Sequence, residues 1–378
     1  MTNSIESLKP AFPVDTRLKE RGCVVPIRDR AEFAALGSEW DGLHQRMAAS
    51  LFISHAFFKL WLKHFAPDAD LRCLAARDAH GRLRAALPLL QQRRTWHGLE
   101  VRELCATANV HSCRYDLLAE NADVAASEFL DALLDEPDWD SLSLCDVPEN
   151  GQAYALIAAA QQRGLPVGVW NSIRSPYLPL APDAGYEPTS KFRANLRRRR
   201  RRLGELGEVS LQCVEGGDAM LSCLAEGLQL EASGWKAAAG TALVQSQATL
   251  GFYTDLALLA AARGELRLWF LRLDGRAIAF QYGLQHRDTY LLLKPAYDES
   301  LSSVSPGQLL MESVIDDCRR RGLHEFDFLG EDMPWKRDWT PHTRPHVWLH
   351  IYRGARGRLL HALKFRAAPL LKRLRCWP

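Results

Sequence analysis

Four short stretches of this chain hold residues whose types suit chemistry. In "LEASGWK", Glu231 stands close to Trp235 and Lys236. A carboxylate beside an aromatic ring loses water, which raises its pKa toward the range a general base needs. The same residue also fits a surface carboxylate at a helix end. In "FDFLGEDMPWKRDW", Asp327 alternates with Phe326 and Phe328. On a strand it points to the face opposite the two aromatics. With Gly330 following, this strand-end carboxylate is expected to reach into a cleft. Trp335 and Trp339 suit stacking on sugar rings or packing in a core. In "SVSPGQLL", Ser305 suits an N-cap, Pro306 the first helical position, and Gly307 a close approach of ligand to backbone. A helix starting there offers free N–H groups and a positive dipole end to an anion, or is an ordinary helix start. In "PHTRPHVWLH", His342, His346 and His350 recur every four residues, but Pro341 and Pro345 interrupt any helix. On a strand only His346 and His350 share a face, and structural zinc normally takes four ligands, so no metal is expected. HExxH, GxxxxGK[ST] and GxSxG do not occur.

The densest charge lies in "KFRANLRRRRRRLGEL", where Lys191, Arg193 and Arg197 through Arg202 supply eight cations. Thr189 or Ser190 can cap a helix just after Pro188. Phe192, Leu196, Leu203 and Leu206 fall on one face, and Gly204 or Gly207 ends it. Arg197 with Arg201, and Arg198 with Arg202, are like charges one turn apart, mildly destabilising unless an anion or carboxylates answer them. Three readings stay open: a solvated face partly paired with acidic neighbours, a site for a phosphate-bearing ligand, or a nucleic-acid signal. The whole chain carries 48 basic and 45 acidic residues, a net charge of only +3, so the run is a local feature. A nucleic-acid-binding domain is usually basic beyond one helix.

These stretches need elements to hold them. Residues 56–78 and 251–273 share a pattern: an aromatic-rich helix, a polar break, then "LR" opening a strand. Each strand ends in a turn, "DAHGR" or "DGR", and a second strand follows, "LRAALPLL" or "AIAFQYGLQ". Each half then has another helix and strand: "VAASEFLDALLD" with "WDSLSLCDV", and "PGQLLMESVIDDCRRRG" with "HEFDFL". The expected fold is α/β, two tandem units of mixed, mostly antiparallel sheet flanked by helices. The expected boundaries are 20–185, 186–352 and a basic tail 353–378, with Pro176, Pro179, Pro182 and Pro188 marking the connection.

At 378 residues and 47% hydrophobic composition, two domains with full cores are expected. No stretch reads as a signal peptide or a membrane span. Nine cysteines without CxxC pairs suit reduced thiols in a cytoplasm.

In order, "SPYLPL…SKFRANLRRRRRRLGELG", "LEASGWKAAAGTAL", "GFYTDLALLAA", "YDESLSSVSPGQLLMESVI" and "FDFLGEDMPWKRDW" resemble the CelD/BcsL-type family of GNAT-like acetyltransferases, linked to cellulose and other exopolysaccharide biosynthesis. That family is similar to FemAB-like transferases, which carry two GNAT-type folds in tandem. The resemblance is densest over 175–340; the first half agrees more loosely through "EWDGL", "SLFISHAFFKLW" and "LRAALPLL". It implies acyl transfer to an amine or hydroxyl, with acetyl-CoA or another acyl-CoA as co-substrate and no permanently bound cofactor. The acceptor it implies is a small molecule or glycan precursor. The implied catalytic residues are Glu231, Asp327 and Lys336, the lysine resembling one that relatives place after this strand. Ser305, Pro306 and Gly307, with Arg198 and Arg202, are expected at the donor's phosphates. Trp235, Lys236, Tyr253, Trp335 and Trp339 are expected around the acceptor. The usual GNAT phosphate loop has an Arg or Gln followed by two closely spaced glycines; only Gly307 is present here. Some FemAB-like relatives use aminoacyl-tRNA instead of CoA, and tRNA is the one nucleic acid that reading admits. The first half lacks the polar pattern, its equivalent strand being "SLSLCDV", so it is expected to be structural or acceptor-binding. A catalytically silent scaffold on the same fold is the remaining alternative.

The end of the chain, "RGARGRLLHALKFRAAPLLKRLRCWP", carries eight cations and no acid, with leucines at helical spacing interrupted by Pro369. It fits a helix docked on the core or weak attachment to the inner face of the cytoplasmic membrane.

Overall fold

The computed structural model describes residues 23–96, 98–181, 188–233 and 245–367. The first half runs β1 (Cys23–Ile27), α1 (Arg30–Ala35), α2 (Gly37–Arg46), α3 (His55–Phe65), β2 (Asp70–Leu71), β3 (Cys73–Arg77), β4 (Leu83–Leu87), β5 (Leu89–Trp96), β6 (Leu99–Ala106), β7 (Leu118–Ala119), α4 (Ala122–Asp135), β8 (Ser141–Pro148), α5 (Tyr154–Gln162) and β9 (Val167–Pro179). The second half runs α6 (Ser190–Gly204), β10 (Val209–Val214), α7 (Met220–Ser233), α8 (Gln247–Ala262), β11 (Leu266–Leu273), β12 (Arg276–His286), β13 (Thr289–Tyr297), α9 (Pro306–Arg320), β14 (Glu325–Asp327), α10 (Pro334–Arg337), β15 (Thr343–Tyr352) and α11 (Gly354–Ala362).

The duplication visible in the sequence is present in the topology. β1-β3-β4-β7 and β10-β11-β12-β13 are both four-strand antiparallel runs, each followed by a helix and a further strand. Local chemistry sets these elements. Ser54 Oγ accepts from Phe57 N at 3.3 Å to start α3, whose buried face is Phe57, Phe58, Trp61 and Leu62. Asp274 and Gly275 both have positive φ, 49° and 79°, as a two-residue I′ hairpin between β11 and β12 requires. The equivalent helices α3 and α8 pack against one another across the two halves. Gly251 of α8 makes this possible, because a Cβ there would lie 2.7 Å from the His64 ring. Asp255 then binds both Lys63 Nζ at 2.6 Å and His64 Nε2 at 2.7 Å.

One eleven-stranded sheet, β10-β11-β12-β13-β14-β9-β15-β8-β6-β5-β2, runs through both halves. β9 pairs with β14 through Tyr177–Pro179 and with β15 over most of its length. β15, from the end of the chain, lies between β9 and β8. The two units therefore share strands at their seam.

The arginine helix α6 is capped by Thr189 Oγ1, which accepts from Phe192 N at 3.2 Å. Leu196 and Leu203 are buried as expected, but the helix runs through Gly204 to a cap at Glu205, and Leu206 beyond it is exposed. At the chain end, α11 buries Leu360, and the turn after it places Phe365 against Tyr352 and His361. The tail beyond Ala367 lies outside the described residues. Among the described residues no helix is long and apolar enough to cross a membrane.

Candidate active site

A parting of two strands opens the main cleft. β13 and β14 run parallel but pair only at Thr289–Leu291 with Glu325–Asp327. Beyond that point Leu292–Tyr297 continues alongside β12. The other chain turns away through Leu329 and Gly330, both at positive φ (50° and 59°). A cleft of about 820 Å³ fills the gap. It is lined along β13, at the start of α9 by Ser305, Gly307 and Gln308, from α6 by Arg199, and from α10 by Trp335 and Lys336. The far wall comes from the first half, where Val110 and Cys113 reach the cleft on a loop between β6 and β7.

That loop, "NVHSCRYD", drew no comment from sequence pattern, yet its own hydrogen bonds shape it. Asn109 Oδ1 accepts from His111 N at 2.9 Å, and Ser112 Oγ from Asn109 N at 3.1 Å. Its next residue, Arg114, forms an ion pair with Asp327 that joins the halves. Asp327 is fully buried and also faces Arg344 at 3.3 Å, while its Oδ1 accepts from Leu329 N at 2.9 Å. The carboxylate does point away from Phe326 and Phe328, but that side is the arginine seam and not the cleft. The expected reach into a cleft is thus corrected: Asp327 acts as a bolt beneath the cleft floor.

Lys336 is in the cleft lining and only 5% exposed. Its Nζ donates to Leu329 O at 2.5 Å and Glu331 O at 2.7 Å, so it holds the two-residue left-handed turn that forms the floor. Burial pulls its pKa down to about 8, with Asp327 opposing part of the effect. Lys294 of β13 is a second cation there, its Nζ 5.4 Å from the centre of the Tyr253 ring.

Tyr253 lines the cleft, and its Oη lies 3.3 Å from His111 Nδ1. Burial and the nearby Lys294 hold His111 down at about 4, so its imidazole is neutral at physiological pH. Glu231 is buried on α7 and contributes to the charge acting on Tyr253, while standing outside the cleft lining. Trp235 and Lys236 lie outside the described residues.

Ser305 occupies the N-cap position of α9, but at φ 49° its hydroxyl turns back to Ser302 O at 3.2 Å and does not cap the helix. Pro306 has no N–H. A Cβ on Gly307 would sit 3.2 Å from the Tyr297 ring, so the glycine also lets that ring pack close. The helix start nevertheless faces the cleft. Arg198 and Arg202 are exposed and absent from its lining; Arg199 is the arginine that faces it. Arg200 pairs with Glu312 at 2.5 Å and Arg201 with Glu205 at 3.6 Å. Trp335 lines the cleft, whereas Trp339 is buried, donates to Gln308 Oε1 at 2.6 Å and packs edge-on to Phe192, joining α6 to α9. Trp339 is therefore core, correcting its expected place at the acceptor. His346 is buried beside Arg114, Asp327 and Arg344, and His350 Nδ1 bonds Ser143 Oγ at 2.7 Å. Among the described residues no group of three or more His, Cys, Asp or Glu is placed to hold a metal ion.

The first half's counterpart cleft, about 380 Å³, is partly filled by the chain itself. Gln152 makes both hydrogen bonds of a strand partner to Ala119, accepting from its N and donating to its O at 2.9 Å each. Asp116 accepts from Gln152 N at 3.0 Å and Ala153 N at 2.7 Å at the start of α5, whereas α4, the helix equivalent to α9, is capped by Asn121.

Parted parallel strands with a helix start at their mouth, repeated in a two-unit mixed sheet, make this a GNAT-type acyltransferase fold. A family profile described as acetyltransferase (GNAT) domain matches residues 190–337. Among solved structures, FemX aligns with a TM-score of 0.56 at 11% identity, covering 87% of this chain and 98% of that one. L-PGS from Bacillus licheniformis aligns with a TM-score of 0.51 at 11% identity, covering 92% and 96%. At such identity these likenesses concern the fold. No curated protein matches the sequence.

Proposed function

We propose that the second unit transfers an acyl group from acyl-CoA to an amine or hydroxyl of an exopolysaccharide or envelope precursor in the cytoplasm, as the CelD/BcsL resemblance implies. The observation that carries this reading is that β13 and β14 stop pairing after Leu291 and Asp327, opposite a helix start. An extended, amide-bearing donor arm can add to the β13 edge there as an extra strand. The start of α9 and Arg199 then suit its phosphates. Backbone N–H groups of the edge and the Lys294 ammonium suit the oxyanion that forms as the acyl carbonyl is attacked. Tyr253 faces the acceptor, and Glu231 behind it is the base, taking the acceptor's proton through the tyrosine hydroxyl. The acceptor then bonds to the acyl carbon, and the CoA thiolate leaves and takes up a proton. The first unit, whose own smaller cleft is narrowed by Gln152 and Asp116, supplies one wall. Calorimetry with acetyl-CoA, then with longer acyl-CoAs, tests the donor; no heat with any of them defeats the reading.

One observation favours a second donor. The exposed arginines of α6, Arg198 and Arg202 among them, flank the cleft and suit a longer polyanion such as aminoacyl-tRNA. Steep salt dependence of tRNA binding, through counterion release, would mark that case. Failure of both donors would leave the scaffold reading.

A further inference from the structure

The cleft changes character along its length. Its polar end is the start of α9, where Ser305, Gly307, Gln308 and Arg199 line it. Tyr297 belongs to that end, since a Cβ on Gly307 would lie 3.2 Å from its ring. Five residues of strand, roughly 17 Å, lead from Tyr297 back to Leu292 at the parting of β13 and β14. There the lining is apolar: Cys113, Phe280, Leu292, Phe328 and Leu329, the last four almost fully buried. Several polar groups of this part are engaged within the protein or neutral. Lys336 Nζ is held by two carbonyl oxygens. The Gln281 amide donates to Met311 Sδ at 3.6 Å and accepts from Tyr290 Oη at 3.4 Å. Burial pushes the Cys113 thiol up to about 11, so it stays protonated and acts as a small apolar group.

Two exposed apolar side chains extend this lining outward. Val110 is 85% exposed and Met333 39%, and both line the cleft. The turn at Asn109 holds the valine out, with Asn109 Oδ1 accepting from His111 N and Ser112 Oγ from Asn109 N. Met333 occupies the N-cap position of α10 and makes no side-chain cap bond, where Ser, Thr, Asp or Asn would stabilise the helix start. Exposed apolar side chains gathered on one cleft mark the place of a ligand's apolar part. We infer that the group transferred is a medium-chain fatty acyl group, longer than acetyl, whose tail runs from Leu292 and Phe328 past Cys113 to Val110 and Met333. The inference rests on the acyl-CoA reading. A donor arm in the gap between β13 and β14 brings whatever its sulfur carries against this lining, whereas an acceptor enters from outside the gap. An acetyl methyl would leave Val110 and Met333 without contact. The chemistry is that of any acyl chain: the thioester C–S bond breaks, the carbonyl carbon joins the acceptor's nitrogen or oxygen, and a proton ends on the CoA sulfur.

The test is calorimetry of the full chain with CoA, acetyl-CoA, butyryl-CoA, hexanoyl-CoA and octanoyl-CoA, all below micelle-forming concentrations. It is repeated with the variant Val110→Asn/Met333→Ser. Affinity should rise about fourfold for each methylene that enters the cleft, reaching on the order of a hundredfold between acetyl-CoA and octanoyl-CoA. The heat capacity of binding should become more negative along the same series. The double variant should keep the parent's melting temperature, because Val110 is exposed and serine suits an N-cap. Its preference for octanoyl-CoA over acetyl-CoA should fall about tenfold. Equal affinities for acetyl-CoA and octanoyl-CoA in the parent overturn the inference and leave the acyl-CoA reading with acetyl as its group. A chain-length preference that survives in the double variant also overturns it, because the tail then lies elsewhere. Binding of neither CoA nor any thioester defeats the acyl-CoA reading and this inference with it.

Discussion

Asp327→Leu should cost the protein about 3–5 kcal/mol, the range for breaking a buried ion pair from one side. Its side chain is 1% exposed and that of Arg114 12%, so the substitution leaves a guanidinium without a carboxylate inside the seam. Arg344 suffers less, because it keeps Glu325 at 3.0 Å. The reverse change, Arg114→Met, leaves Asp327 with Arg344 at 3.3 Å and with the Leu329 N–H. It should therefore cost less, about 2 kcal/mol. The double variant Arg114→Met/Asp327→Leu removes both charges and places apolar groups of similar size in the seam. It should be more stable than Asp327→Leu alone, with a coupling energy of roughly 2 kcal/mol or more. Urea unfolding of the four proteins gives the cycle, provided the m-values agree. Strictly additive costs would refute the reasoning, since they would mean that Arg114 and Asp327 do not compensate one another. Acetyl-CoA titration of the same set reads the consequence for the cleft floor, which Asp327 holds through Leu329.

Other outcomes follow from the same geometry. Arg199→Gln should weaken acetyl-CoA binding about tenfold, the loss of one charged contact, while Arg198→Gln/Arg202→Gln leaves it nearly unchanged; calorimetry separates them. Lys336 has a folded pKa lowered to about 8, below its unfolded value, so between about pH 8 and 10.5 the unfolded chain binds the extra proton and stability rises with pH. Relative to Lys336→Met, the parent should gain on the order of 2–3 kcal/mol across that window, read by urea midpoints at each pH. Gly251→Ala should destabilise by about 1–3 kcal/mol through its clash with His64, and paired replacement with His64→Ala should recover most of that. Tyr253→Phe should lower kcat with little change in acetyl-CoA affinity; an equal loss in both would remove the tyrosine from proton transfer.

Local signals carried much of this fold into view. The Thr189 cap, the Asp274–Gly275 turn and the paired helix-strand patterns are all set by residues within one turn of each other. The arginine helix was legible as a helix, but which arginine faces the cleft depends on how α6 rolls against α9, a tertiary matter. Asp327 illustrates the limit more sharply. Strand alternation correctly put it opposite two phenylalanines, but what waits on that side is Arg114, brought from more than two hundred residues away. The loop carrying Arg114, Cys113 and His111 has no periodicity or motif to advertise it. Its asparagine and serine turn signals mark a bend without saying against what it bends.

The placement of β15 has a consequence for how the protein is made. Ribosomes deliver the chain from its N-terminus, and more than 160 residues separate β9 from the strand that fits between it and β8. At cellular elongation rates that interval lasts roughly ten to thirty seconds. Until residues 325–352 emerge, β9 has no strand partner and β8 keeps one bare edge, a state open to pairing with any other extended chain. The first unit can thus finish folding only after β15 of the second half has been made. A chain cut just before Thr343 should therefore attract chaperones to its first unit, far in sequence from the missing strand.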